Sequence, residues 1–352
     1  MKLGIIGLPQ SGKTTLFNAL TRGNAPTTAS AGRIEVHQAV VDVPDPRVDI
    51  LSKMFNPRKT IYSKVTYADI AGLEGDTTKS GISGQLLNQL NQMDALILVV
   101  RAFESDLVMH PNGSVNPMRD VEAMTGELLL NDLIAVERKL EKLTDERKKG
   151  GTDKTVNARQ TELFEKLHKA LSDSKPLREL DFTHEEDKEL SSFGLLTRKR
   201  LLTVFNLSEG QSAPEPKLDH PSVALMCKLE MEIAQLSADD AAVFMEEYGL
   251  KELSLNRMIN LSYELLQELT FFTVGEDEVR AWVTHRGATA QEAAGEIHTD
   301  LSRGFVRAEV VAYEDLVSLG GMNEAKAKGK FRLEGKEYIV KEGDIMHVRS
   351  SL

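Results

Sequence analysis

The chain has 352 residues, 41% hydrophobic and 28% charged, an ordinary composition for a folded protein of two or three domains at roughly 150 residues each. Acidic residues outnumber basic ones 54 to 43, a formal charge of -11. The surface as a whole therefore repels phosphate backbones; DNA is not an expected partner, and any RNA contact needs a local basic patch.

The first apolar stretch, Leu3-Gly4-Ile5-Ile6, predicts a short buried strand rather than a secretory leader. No segment reaches the roughly 20 apolar residues that span a bilayer, so a cytoplasmic protein without a membrane partner is expected. The strand runs into Gly7-Leu8-Pro9-Gln10-Ser11-Gly12-Lys13-Thr14, a full match to GxxxxGK followed by Ser or Thr, and a helix pattern from Thr15 to Leu20 follows. In that context the backbone N–H groups of Gln10, Ser11, Gly12, Lys13, Thr14 and Thr15 cradle a polyphosphate at a helix N-terminus. Lys13 reaches the outer phosphates and the Thr14 hydroxyl ligates Mg²⁺.

Ile61 to Ala68 alternates as a strand and ends in Asp69-Ile70-Ala71-Gly72. A carboxylate at a strand tip suits Mg²⁺, and the Gly72 N–H can touch a γ-phosphate and lose it on hydrolysis. An ordinary strand-to-helix turn is the competing reading. Glu74 to Gly84, rich in Gly, Ser and Thr, reads as a switch segment. Leu73 cannot hydrogen-bond the attacking water, as the glutamine of Ras-type enzymes does. Ala95 to Val100 is a continuous apolar run, the pattern of a parallel strand covered on both faces.

Leu129, Leu133, Val136, Leu140 and Leu143 recur at coiled-coil spacing, Gly150-Gly151 breaks the pattern, and Leu163, Leu167 and Leu171 form a second stripe. Two antiparallel helices are expected, with Glu162–Lys166 and Glu165–Lys169 as pairs along the second. Arg138, Lys139, Lys142, Arg147, Lys148, Lys149 and Lys154 make the hairpin locally basic, and Arg198-Lys199-Arg200 can extend the patch. It is either an RNA-docking face or a solvated helix surface.

Leu201 to Phe205 reads as a strand ending in Asn206-Leu207-Ser208-Glu209. Guanine is normally read by Asn-Lys-x-Asp, whose Asp accepts two bonds from the base. Glu209 is too long for that place and Leu207 replaces the lysine stem, so these residues speak for weakened guanine specificity. The only cysteine, Cys227, follows the apolar Val223-Ala224-Leu225-Met226 and is expected to be a buried thiol. Strands are predicted at Phe271 to Val274, Val279 to Val283, Phe305 to Val311, Glu337 to Val340 and Ile345 to Val348, with a capping box at Thr289 to Glu292 opening a helix. Trp282 and the paired phenylalanines read as core, with a base-stacking platform as the alternative.

The chain resembles the YchF/Obg-like ATPase family over nearly its whole length. The matching segments include Gly7 to Pro9, Lys13 to Thr21, Pro44 to Arg47, Asp69 to Leu73, Val99 to Arg101, Phe103-Glu104, Val115 to Pro117 and, most specifically, Phe271 to about Gly343. The resemblance implies an α/β P-loop NTPase with a Ras-like, mostly parallel sheet, an α-helical hairpin insertion and a C-terminal β-grasp (TGS) domain. The expected limits are 1–120 and 195–268 for the nucleotide domain, 121–194 for the insertion and 269–352 for the TGS domain. It further implies an ATP-preferring hydrolase that docks on the ribosome or ribosomal RNA through the insertion and TGS domain. Asn206, Leu207 and Glu209 would meet the base. His110 would replace the missing glutamine, the alternative being a solvated loop histidine. Gln10-Ser11 departs from the family's Asn-Val. The first switch does not align, leaving Thr28 in Ala25 to Gly32 as a candidate second Mg²⁺ ligand. A GTP-specific factor and a nucleotide sensor with negligible turnover stay open; a P-loop kinase lacks an evident lid.

Overall fold

The computed structural model describes residues 1–25, 36–70, 82, 84–150, 153–214, 217–247 and 254–351. The chain divides into two compact units, residues 1–39 with 66–258, and residues 40–65 with 259–352.

The first unit opens with β1 (Lys2–Ile6), α1 (Lys13–Thr21) and β2 (Val36–Asp42). The chain then supplies α2 (Pro46–Phe55) and β3 (Lys59–Ile61) to the second unit before it resumes with β4 (Lys64–Ile70), α3 (Gly84–Asn91) and β5 (Ala95–Arg101). After the helices α4 (Pro117–Lys149), α5 (Lys154–Ser172) and α6 (His184–Leu190) come β6 (Arg200–Asn206), β7 (Ser222–Leu225), α7 (Cys227–Ala234) and α8 (Ala238–Glu247). The sheet order is β2-β4-β1-β5-β6-β7, and β4, β1, β5, β6 and β7 run parallel. Every residue of β5 is buried, as the unbroken apolar run of a doubly covered strand requires. The registers Ile5↔Asp69 and Arg101↔Asn206 bring four strand ends to one edge, where open α/β sheets bind their ligands.

The expected helical hairpin is present. Val136, Leu143, Leu163, Phe164, Leu167 and Leu171 are buried together, with Leu129, Leu133 and Leu140 packed against them. The first arm is longer than its apolar seam. It starts at Pro117, capped by the Asn116 side chain, and its 33 residues extend about 50 Å at 1.5 Å each. Gly150 ends it in the left-handed region, φ 72°. Lys166 pairs with Glu186 at 3.2 Å, across from α6, instead of with Glu162 on its own helix. Lys139 is drawn inward over the rings of Phe164 and Phe193 and donates to Gln160, so its charge leaves the open face.

After α9 (Ser254–Leu265), which crosses the division at residue 258, the second unit adds β8 (Glu268–Val274), β9 (Glu278–His285), α10 (Ala290–Ile297), α11 (Thr299–Arg303), β10 (Phe305–Ala312), α12 (Tyr313–Leu319), α13 (Met322–Ala327), β11 (Arg332–Glu334) and β12 (Asp344–Ser350). Its sheet order is β11-β10-β12-β8-β9-β3. Phe271 packs with Ala290 and Ala293 of α10, while its neighbour Phe272 packs on the other face with Val48 and Leu51 of α2 and Leu316 of α12. Period-two alternation thus splits the phenylalanine pair between two cores.

Two strand expectations are corrected. The strand expected from Ile61 breaks at Tyr62-Ser63, because β3 pairs with β9 while β4 pairs with β1. Residues 40–65, expected in the nucleotide domain, belong to the other unit for the same reason. Glu337 to Val340 forms no strand. Val340 is buried and its N–H donates to Ala288, while Ala290 donates to the Tyr338 carbonyl, so the segment pairs with the start of α10. The second strand paired with β10, beside β12, is Arg332–Glu334 instead. Arg47 anchors α2 through Asp45 at 2.8 Å and Glu342 at 2.6 Å, with its guanidinium 5.0 Å from the Phe272 ring.

Among the described residues, no helix is long and apolar enough to cross a membrane.

Candidate functional site

Glycine is obligatory at two points of the phosphate loop. Gly12 has φ 97°, and a Cβ there would lie 2.2 Å from Asn206 Nδ2. A Cβ on Gly7, at φ 151°, would lie 2.3 Å from the Val99 carbonyl oxygen. Gln10 is held at φ 60°, in the left-handed region a side chain tolerates poorly. The loop then enters α1 with the Leu16 N–H donating to the Gly12 carbonyl at 2.9 Å. The amino group of Lys13 folds back over the loop, donating to the carbonyls of Gly7 at 3.1 Å and Leu8 at 2.8 Å.

Thr14 and Asp69 meet across the sheet edge, the Thr14 hydroxyl donating to Asp69 Oδ2 at 2.6 Å. The other carboxylate oxygen is buried without a hydrogen-bond partner among the described residues. Burial pushes the Asp69 carboxyl above its ordinary range, against the Thr14 hydrogen bond and the charges of Lys13 and His37. A hydroxyl, a carboxylate with an unsatisfied oxygen and an adjacent phosphate cradle form an oxygen donor set that fits Mg²⁺, which binds few protein ligands and completes its shell with water and phosphate. Thr28, Gly72 and Leu73 lie outside the described residues.

Asn206, expected among the nucleotide-binding residues, stands against the phosphate loop itself. Its Nδ2 donates to the Ser11 carbonyl at 3.0 Å and its Oδ1 accepts from the Cys227 N–H at 3.2 Å. Both ends of the amide brace the loop against the start of α7, so it positions the cradle. Asn206→Ala is expected to cost about 1–3 kcal/mol, because the buried Cys227 N–H loses its acceptor. It should weaken nucleotide affinity with little change in helix content, as calorimetry and circular dichroism would show. Leu207 is half-buried, its N–H donating to Leu225, and Glu209 is exposed. Cys227 is fully buried and its thiol is pushed up by burial, as expected of an inert cysteine.

His110 stands neither in solvent nor loose. It lines a small cavity with Leu8, Pro9, Ser11, Arg101, Asp120 and Met124, and its side chain is 3% exposed. Its Nε2 lies 2.9 Å from Asp120 Oδ2, and its Nδ1 accepts from the Asn112 N–H at 3.1 Å. Arg101 clamps the loop before it, donating to the carbonyls of Phe103 and Val108. The roles of Asp120 and Arg101 were invisible in sequence, an acidic residue in a first helical turn being commonplace. Arg198 and Lys199 do not extend a basic patch. The first pairs with Asp187 at 2.7 Å, and the second caps the carbonyls of Asn91 and Met93, where burial lowers its pKa.

Comparison with known proteins places this architecture. A protein from Bacillus subtilis (strain 168), "Ribosome-binding ATPase YchF", is 40% identical, covering 98% of both chains. The chain belongs to the YchF family. A protein of the same name from Escherichia coli O157:H7 is 39% identical over 98% of each chain. The structure of the Schizosaccharomyces pombe YchF GTPase superposes with a TM-score of 0.86 at 31% identity, covering 99% of this chain and 97% of that one. The family model of the YchF-GTPase C-terminal region, described as a protein of unknown function, matches residues 269–351, and that of a 50S ribosome-binding GTPase matches residues 2–139. The P-loop α/β fold with its hairpin and C-terminal β-grasp sheet is therefore that of the family.

Proposed function

We propose that this YchF-family nucleoside triphosphatase is a Mg²⁺-dependent, cytoplasmic molecular switch that prefers ATP to GTP and acts on the ribosome. The reading is carried by the 2.6 Å Thr14–Asp69 contact beside a loop that only glycine can close at Gly7 and Gly12. Lys13 neutralises the outer phosphates, the loop amides from Gln10 to Thr15 orient them, and Thr14 and Asp69 hold Mg²⁺, with Thr28 as a further ligand. Bound there, Mg²⁺ supplies charge neutralisation on the outer phosphates. His110 orients the attacking water in place of a glutamine, and Gly72 reports the γ-phosphate.

Preference for ATP is supported by Leu207 and Glu209 at the positions that read guanine, and by relatives named ATPases. The competing GTP reading is favoured by the fission-yeast relative, which is named a GTPase. Ribosome docking is supported by the names of the relatives and by the exposed Arg138, Lys142, Arg147, Lys148, Lys149 and Lys154 on the hairpin; the TGS sheet would be the second contact. Some of that charge is met locally, Lys148 lying 3.7 Å from Asp145.

Titration calorimetry of the intact chain with each triphosphate, with Mg²⁺ and with chelator, tests the proposal. ATP is expected to bind at least about tenfold tighter than GTP, a difference near 1.4 kcal/mol, and only with Mg²⁺ at full strength. Equal affinities would discard the ATP preference, and tighter GTP would install the alternative. Co-sedimentation with ribosomes, weakened by Lys148→Glu with Lys149→Glu, tests the partner.

A further inference from the structure

We infer that Asp120 is a latch that holds His110 withdrawn until the base of α4 moves; this rests on the reading of His110 as the group that orients water. In this structure both imidazole nitrogens are enclosed by protein atoms, the Nε2–Asp120 contact being an approach of charges in which Asp120 Oδ2 makes no hydrogen bond. One faces Asp120 at 2.9 Å and the other accepts from Asn112 at 3.1 Å, with 3% of the side chain exposed. Yet the ring lies beside Leu8 and Pro9 of the phosphate loop, so it is stored next to where it acts.

Two features make the storage reversible. Asp120 Oδ1 is already held by Arg119, whose Nε and Nη2 donate at 3.0 and 2.9 Å. When the imidazole leaves, the buried carboxylate keeps a cation, so release avoids the cost of an orphaned charge. The loop that carries the histidine is held by the buried Arg101, which donates to the carbonyls of Phe103 and Val108, while its apolar side chains Leu107 (96% exposed) and Met109 (81% exposed) add no buried contact. Asp120 stands in the first turn of α4, whose far end carries Arg147, Lys148 and Lys149, so a load on that end reaches the latch through one continuous helix.

The test uses the full chain. Nitrogen-15 NMR of the His110 imidazole should show a fixed Nε2–H tautomer with slow proton exchange in the natural protein. Asp120→Asn should give averaged shifts and fast exchange. Single-turnover hydrolysis of Mg-ATP should rise by about fivefold in Asp120→Asn, and the rise should vanish when His110→Ala is added. A freely exchanging imidazole in the natural protein overturns the latch, even if the Asp120 variant fails to fold. Unchanged His110 signals in Asp120→Asn overturn it as well. If the imidazole is released but neither variant alters hydrolysis, the latch stands and the catalytic reading of His110 falls.

Discussion

Replacing Lys13 with alanine is expected to slow hydrolysis at least about 100-fold and to weaken triphosphate binding, while leaving the fold intact. The magnitude follows from what the amino group does. It is the cation of the loop, and an electrostatic donor aimed at developing charge is worth roughly 10²–10³ in rate. Among its partners are the part-buried carbonyls of Gly7 and Leu8, which water can satisfy once the side chain is gone. The structural cost is therefore small beside the catalytic one. Lys13→Arg is no safe control, since a planar guanidinium cannot occupy the same point. Circular dichroism with single-turnover kinetics separates the two effects. A folded Lys13→Ala protein hydrolysing within a few-fold of the natural rate would end the reading of this loop as the phosphate site.

How much of this was legible in the sequence follows from the distance between cooperating residues. The phosphate loop is contiguous, its glycines and lysine act at fixed backbone spacing, and β1 and α1 flank it in the same short stretch. The hairpin was legible because Leu129 to Leu171 repeat with helical period, though its core is completed by Leu177, Leu190 and Leu195 from beyond the two helices. What was not legible needed partners far along the chain. Asn206 braces Ser11 from 195 residues away, and nothing local distinguishes that role from reading a base. Asp120 looks like any first-turn carboxylate until the fold places His110 on it. The strand beginning at Ile61 read as one because its alternation crosses Tyr62-Ser63 unbroken. Only pairing with β9 on one side and β1 on the other divides it. Tertiary pairing overrode a pattern that was locally consistent.

Asp132→Ala is expected to destabilise the first unit by about 3 kcal/mol, the largest single-residue loss of stability argued for this protein. Asp132 lies fully buried on α4, and its carboxylate accepts from the Leu196 N–H at 2.8 Å, the Thr197 N–H at 2.7 Å and the Thr197 hydroxyl at 2.6 Å. Thr197 in turn accepts from the Leu177 N–H at 3.3 Å, so one side chain ties α4 to two turns that lead into β6. Alanine leaves three buried donors without acceptors, at about 1–3 kcal/mol each. The sum overstates the loss because a buried carboxylate is itself costly: burial pushes the Asp132 carboxyl upward while its hydrogen bonds pull it down. Removing it recovers part of that desolvation, which brings the net to about 3 kcal/mol. Asp132→Asn keeps an acceptor and should lose about half as much. Thr197→Val belongs to the same network, so combining it with Asp132→Ala should cost at least about 0.5 kcal/mol less than the sum. Urea unfolding gives the totals, and hydrogen exchange at the Leu196 and Thr197 amides gives the location. Protection unchanged at those two amides in Asp132→Ala would mean that the middle of α4 is held by apolar packing, and that the carboxylate contributes nothing to the joint.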